Sequence, residues 1–397
     1  MGVQLRMKKD YQTHVFTCTY TADVSGVCSA MYELGGMTVL HDPSGCNSTY
    51  TTHDEPRWYD SDSLMFVSGL DEITAVMGDD TVLIKDVVQA ARDLHPRFIT
   101  LCGASIPHII AFDYKGVAHL IEEKCGIPVL PVPTDGLRSY VSGADLAFRA
   151  FTQRFCDPSE YQRTKEKKIN LLGVTPLDFS INGNVEALRK TFEEAGFEIN
   201  ACMAMGDTFE QLVHAYRAGC NVVVSSAGRK AARYMKKQSG MPFVEGLPVG
   251  EAAAQTLLQA VMETLDDGLD RNPFADISCS GEEGTIPQGI VVIGEEVFSR
   301  SLAYALNALP ETEKYGQKAF AFSPDPDEGI AEQDLIRVMR SADTVIADPL
   351  YQVVQKPGAP EHFVRFPHEA YSGRIFRDQI PVFAGKDYQV CSLLKGR

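Results

Sequence analysis

Three cysteines in the first third of the chain are the residues whose chemistry stands out. They are Cys18 in Thr17-Cys18-Thr19-Tyr20, Cys46 in His41-Asp42-Pro43-Ser44-Gly45-Cys46, and Cys102 in Thr100-Leu101-Cys102-Gly103. Each falls at a junction between expected regular elements and not inside an amphipathic pattern. Gly45 and Gly103 adjoin two of them, and a glycine lets backbone approach a bulky inorganic group without a side-chain clash. Thiolate is the soft ligand that iron–sulfur clusters take. If the three converge, they make an electron-transfer site. Taken singly, each is more often a small buried hydrophobe.

Three thiolates leave a four-cysteine cluster one ligand short. A partner subunit, Asp42, His41 or Cys28 are the candidates for the fourth. Cys28 falls within an expected helix, 25–34, where a core role competes with ligation. Cys125, Cys156, Cys202, Cys220, Cys279 and Cys391 share no spacing and read as structural. His41 either bonds a cluster sulfur or caps a strand end. His53 reads as part of a solvated loop, although the chain's one tryptophan, Trp58, lies close by. His368, with Tyr371 and Arg374, either faces a cleft or stabilises a turn. The Ser225-Ser226-Ala227-Gly228-Arg229 turn could take an anion at a helix N-terminus. No GxxxxGK[ST] occurs, which excludes P-loop nucleotide hydrolysis, and no GxGxxG follows the first strand of any unit.

The elements that must position these residues alternate. Residues 38–41, 97–101 and 127–132 read as buried strands, with helices over 82–94 and 113–124 between them and another over 143–155. After a polar linker at 157–168 the rhythm restarts with strands 169–174, 198–205, 221–224 and 241–245. Helices 184–195, 208–218, 230–238 and 250–265 accompany them. A second linker, 272–288, leads to strands 290–294, 318–322 and 344–347 with helices 295–308 and 328–341. Strands separated by helices of this length imply right-handed crossovers and mainly parallel sheets. The expected architecture is α/β, three Rossmann-like units with mainly parallel sheets around a central cleft. The units are 1–160, 166–270 and 285–397, the first of them cluster-binding.

Bulk composition narrows the class. The chain has 397 residues, 44% hydrophobic and 23% charged, with a formal net charge of −16. That length calls for two or three domains. No basic stripe offsets the acidity, so a nucleic-acid role is not expected. No stretch approaches the roughly 18 apolar residues of a membrane helix, and the start lacks a signal-peptide pattern. A cytoplasmic location is expected, with thiols reduced or metal-bound.

The first unit resembles a subunit of the nitrogenase component 1 family. That family includes the molybdenum–iron protein subunits, the scaffold pair that matures their cofactor, and the dark-operative protochlorophyllide and chlorophyllide reductases. His41-Asp42-Pro43-Ser44-Gly45-Cys46 is similar to its second cluster-ligand segment. Thr100 to Gly103, followed by a helix and Gly126-Ile127-Pro128-Val129-Leu130-Pro131-Val132-Pro133-Thr134, is similar to its third. Cys18, upstream of Gly26-Val27, resembles the first, with a slightly different spacing. Ser68-Gly69-Leu70-Asp71-Glu72 and Val76-Met77-Gly78-Asp79-Asp80 match the region between. Farther on, Asn221-Val222-Val223-Val224-Ser225-Ser226 resembles the strand carrying a cofactor-ligating cysteine, but serine stands there. Phe366 to Arg374 loosely resembles the segment with that cofactor's histidine. Dinitrogen reduction is therefore not expected.

The resemblance implies that Cys18, Cys46 and Cys102 hold an iron–sulfur cluster, [4Fe–4S] or P-cluster-like, at a subunit interface. It further implies a sister subunit or a second copy, in a dimer or tetramer, and an ATP-dependent iron–sulfur reductase that delivers electrons. The substrate is then a small molecule bound in the cleft. Two other readings stand beside this one: a non-catalytic scaffold for metal-cofactor assembly, and a three-unit binding protein without a redox centre.

Overall fold

The computed structural model describes residues 14–43, 55–277, 288–310, 312, 317–325, 329–355 and 363–394. Cys46, His53 and Cys279 lie outside them. The described chain forms three four-stranded sheets, every pairing parallel. The first holds β1 (Met37–His41), β2 (Leu64–Val67), β3 (Ile99–Gly103) and β4 (Val129–Pro131), in the order β2-β1-β3-β4. The second holds β5 (Lys168–Leu172), β6 (Glu198–Cys202), β7 (Cys220–Val223) and β8 (Phe243–Glu245), in the order β6-β5-β7-β8. The third repeats it with β9 (Ile290–Ile293), β10 (Ala319–Phe322), β11 (Thr344–Ala347) and β12 (Phe363–Arg365), in the order β10-β9-β11-β12.

The inner strands are near-continuous apolar runs because helices cover both faces. Ile290-Val291-Val292-Ile293 is buried at all four positions. In each sheet the chain leaves the first strand toward one edge and returns on its other side. This puts a crevice beyond the carboxyl ends of β1 and β3, of β5 and β7, and of β9 and β11. The cores are continuous across units. One apolar cluster joins Phe148 and Phe151 of the first unit to Leu172, Val223 and Met235 of the second. Another joins Leu171, Val222 and Leu257 to Ile290, Leu302 and Phe383.

Two short edge strands, β2 and β12, were not legible as strands. β2 is half-exposed along its length, and an edge strand with one neighbour shows little of the apolar continuity that marks an inner strand. The expected helix 208–218 is shorter. It runs Phe209–Leu212 with a capping box of Thr208 and Gln211, then gives way to a 3₁₀ turn, Ala215–Arg217. Two asparagines, Asn170 buried and Asn200 half-buried, explain the break. Asn200 donates to the His214 carbonyl at 3.1 Å and Asn170 to the Ala215 carbonyl at 2.7 Å, which takes acceptors a longer helix would use itself.

The helix Asp23–Met31 lies against the helix Tyr140–Phe155 at backbone contact. A Cβ on Gly26 would sit 1.9 Å from the Tyr140 carbonyl oxygen, and one on Gly143 would sit 1.8 Å from that of Asp23. Only glycine fits at either place. This crossing holds the segment that follows Cys18 beside the loop after β4, where an Ala22–Ser139 bridge joins them.

Candidate functional site

At the first crevice β1 and β3 run in register, Leu40 beside Cys102 and His41 beside Gly103. The chain therefore leaves β1, at His41 and Asp42, beside the end of β3 that carries Cys102. Cys102 is fully buried, its Sγ 3.8 Å from the Val39 carbonyl oxygen. Burial raises its thiol far above the ordinary range, so a thiolate there needs a compensating positive charge such as a metal's. His41 is buried with Nδ1 2.9 Å from the Ser68 hydroxyl and its ring on Phe112, and burial lowers its pKa to about 4. It is a neutral packed imidazole, which favours the strand-end reading.

Around these, Asp23 accepts from the backbone N–H groups of Asp135, Gly136 and Val24, each at 2.9 Å. Burial still raises its carboxyl to about 7. The Tyr114 hydroxyl is buried without a hydrogen-bond partner.

Cys18 is exposed and lies against the third unit. Its carbonyl accepts from the Tyr371 hydroxyl, and the N–H groups of Val15, Phe16 and Thr17 donate to Glu332 at 2.8–3.0 Å. The N–H of Thr21 donates to Ala370 at 2.8 Å. The N-terminal segment is thus held in place by the far end of the chain. Among the described residues no three His, Cys, Asp or Glu side chains are spaced to hold a metal ion; of the three sequence-chosen cysteines, only Cys18 and Cys102 are among them. Cys28, Cys156, Cys202 and Cys220 are buried, and Cys125 and Cys391 half-buried.

A second constellation lies where the carboxyl ends of the second and third sheets meet. Asp178, just past β5, accepts from the hydroxyls of Tyr140, of Ser225 at 2.8 Å and of Thr175 at 3.1 Å. His368 Nε2 stands 3.6 Å from the same carboxylate, and the His368 N–H donates to Asp348 at 2.9 Å. Ser225 and His368 lie in the two segments, 221–226 and 366–374, that resemble a cofactor's ligand segments, and both converge on Asp178. Tyr371 stacks on Tyr351 and Arg374 is exposed, so His368 is the member of its trio that enters this cluster.

Glu295, just past β9, is buried beside Asp178. It accepts from the Ser226 N–H and the Phe298 N–H, each at 2.9 Å, and from the Ser226 hydroxyl. Burial, followed by the charge of Asp178, raises its carboxyl to about 7. In the Ser225–Arg229 turn, which could take an anion, the Ser226 N–H and hydroxyl are thus already engaged by the chain's own Glu295. Farther along, at the start of the following helix, the N–H of Lys230 donates to Asp145.

Sequence reasoning passed over Asp178 and Glu295. The signal was present: each acid stands a few residues beyond the end of an apolar inner strand, in Leu171-Leu172-Gly173-Val174-Thr175-Pro176-Leu177-Asp178 and Val292-Ile293-Gly294-Glu295. Ligands collect there in open parallel sheets.

A family model described as "Nitrogenase component 1 type Oxidoreductase" matches residues 26–302. The chain belongs to that family. The match takes in positions 46 and 102, and Cys18 lies ahead of it. The nitrogenase molybdenum-iron protein alpha chain of Methanosarcina barkeri is 25% identical over 199 residues, 49% of this chain and 37% of that one. The nitrogenase iron-molybdenum cofactor biosynthesis protein NifE of Clostridium pasteurianum is 25% identical over 248 residues, 58% of this chain and 52% of that one. A light-independent protochlorophyllide reductase subunit of Prosthecochloris aestuarii is 24% identical over 249 residues, 62% of this chain and 45% of that one. The chain thus spans about half the length, or less, of these curated relatives. A solved structure titled "Nitrogenase Cp1 at pH 5" superposes with a TM-score of 0.62 at 16% identity, covering 97% of this chain and 89% of that one. This likeness shows a shared fold of three Rossmann-like units. No helix among the described residues is long and apolar enough to cross a membrane.

Proposed function

We propose that the chain is a subunit of a nitrogenase-like oxidoreductase, holding an iron–sulfur cluster through Cys18, Cys46 and Cys102 at an interface with a sister subunit or a second copy. Electrons reach it from an ATP-dependent iron–sulfur reductase and pass to a small substrate in the cleft between the units. Such a cluster, [4Fe–4S] or P-cluster-like, supplies one-electron transfer when bound.

The observation that supports this reading is the register of β1 and β3, which puts His41 beside Gly103 and Leu40 beside Cys102 in a chain of this family. The donor set fits. Cys102 offers a dry thiol that a metal's charge would ionise. Cys18 offers one at the surface, where a partner's residue can complete the site. Residues 1–160, 166–270 and 285–397 serve in this scheme as the cluster-binding unit and two flanking units, and the protein works in the cytoplasm. The kinship with NifE supports a second reading, an assembly scaffold on which a metal cofactor is built and released.

Anaerobic purification with iron and acid-labile sulfide analysis tests the cluster. Cys46→Ala and Cys102→Ala are expected to abolish the chromophore, and Cys156→Ala, whose thiol bonds the Leu212 carbonyl at 3.3 Å, to leave it. Unchanged iron in the first two variants refutes the ligation. Turnover with a cognate reductase, against release of an intact cofactor to an acceptor, separates the enzyme from the scaffold.

A further inference from the structure

We propose that the third unit builds one arm of the cluster site, and that Glu332 is the residue that positions Cys18 for ligation. The inference rests on the oxidoreductase reading and adds a positioning residue to it.

Three observations carry it. First, one buried carboxylate gathers the chain just ahead of Cys18. Oε1 of Glu332 accepts from the N–H groups of Phe16 and Thr17 at 2.8 Å, from that of Val15 at 2.9 Å, and from the Thr17 hydroxyl at 2.9 Å. Oε2 accepts from Val15 at 3.0 Å. Glu332 is 4% exposed and opens the helix Glu332–Ser341, whose N-terminal partial charge favours a carboxylate. Bonds from N–H groups to a carboxylate are stronger than those between neutral groups, and three successive N–H groups fix three successive residues.

Second, the same unit fixes Cys18 itself and the chain beyond it. The Tyr371 hydroxyl donates to the Cys18 carbonyl, and the Thr21 N–H donates to the Ala370 carbonyl at 2.8 Å. Between them the Tyr20 ring meets Tyr371 edge-on, 5.3 Å from centre to centre, and leans on His368 at 5.2 Å.

Third, the thiol is left at the surface while its backbone is tied down. Residues 14–21 belong to no helix or strand, so the clamp, and not a hydrogen-bonded ladder, orders them. Without it, ligation would have to overcome the entropy of an irregular segment. A ligand held by supporting bonds is ready for its metal. Cys102 needs no such device, because the inner strand β3 already fixes it. Glu332, Ala370 and Tyr371, like Cys18, lie outside residues 26–302 of the family match. A site that includes Cys18 is therefore complete only once the third unit has folded onto the first.

The test uses the anaerobically purified full chain, with its partner subunit where one co-purifies. Two quantities are measured: hydrogen exchange at the Val15, Phe16 and Thr17 amides, and the rate of iron release to excess bathophenanthroline. In Glu332→Ala the three amides are expected to exchange about 100-fold faster than in the wild type, and iron to leave about tenfold faster or more. Glu332→Gln keeps an oxygen in the place of Oε1 and is expected to recover most of both losses. Arg340→Ala removes a bond to the Val354 carbonyl from the other end of the same helix and is expected to change neither. Tyr371→Phe, which loses one hydroxyl beside Cys18, serves if Glu332→Ala does not fold, and is expected to release iron about fivefold faster. Iron release within about twofold of the wild type in Glu332→Ala or, where that variant is unfolded, in Tyr371→Phe overturns the proposal. Release in Arg340→Ala as fast as in Glu332→Ala also overturns it, since iron would then follow the stability of the third unit alone. A wild-type protein that holds no iron overturns the oxidoreductase reading and the cluster-positioning role together, and faster exchange in Glu332→Ala would then leave only the clamp.

Discussion

Truncating Arg57 is expected to cost about 3–5 kcal/mol, the usual penalty for breaking a buried ion pair from one side. Its guanidinium is buried, with Nε 2.6 Å from Glu55 and Nη1 2.7 Å from Glu33. It also donates to the carbonyls of Ser29 at 2.8 Å and Ala204 at 3.1 Å, and lies 4.7 Å from the centre of the Tyr32 ring. Glu55 is still more buried, with the Ser29 hydroxyl at 2.6 Å as its other partner. Arg57→Ala would leave that carboxylate without a cation and two carbonyls without donors, which is the costly outcome. Urea unfolding followed by the fluorescence of Trp58, the chain's one tryptophan, reports on the adjoining residue. Replacing the pair together, Arg57→Met with Glu55→Leu, should recover at least half of the loss, because no unpaired charge remains buried. A loss below about 1 kcal/mol in Arg57→Ala, or a double variant no more stable than the single, would show that the network contributes nothing beyond packing.

Gly143→Ala should destabilise by about 3 kcal/mol or more in the same assay, although alanine is the better helix former by roughly 1 kcal/mol; a stabilised variant would mean the two helices do not touch as described. Glu295→Gln should flatten part of the pH dependence of stability. The folded carboxyl is raised from 4.5 to about 7, so the folded state holds more protons between those values and stability falls as pH climbs through them. The variant should gain on the order of 2–3 kcal/mol at pH 8 and almost nothing at pH 4, as read from thermal unfolding across pH. Tyr140→Phe removes one of three hydroxyls from buried Asp178 and should cost about 1–3 kcal/mol, with a loss too small to measure arguing for a water in its place.

The alternation of apolar strands and amphipathic helices made the three parallel units legible, because inner strands buried on both faces must be apolar throughout. The edge strands β2 and β12 escaped because half of their surface meets solvent. The helix at 209–212 ends early for a reason no local pattern contains: Asn170 and Asn200, far from it in sequence, claim its next carbonyls. Ser225 and His368 could be chosen from their motifs, but their common partner Asp178 could not, since 47 residues separate Ser225 from it and His368 reaches it from another sheet.

Sequence alone determined the fold class, which follows from periodicity, and the family, which its short motifs resemble. Tertiary structure decided that Cys102 is dry while Cys18 is at the surface, and that Glu295 fills the helix N-terminus near Ser226. It also decided that Glu295 lies beside Asp178. Burial and the field of a neighbouring charge are properties of the packed molecule, and they raise the Glu295 carboxyl to about 7.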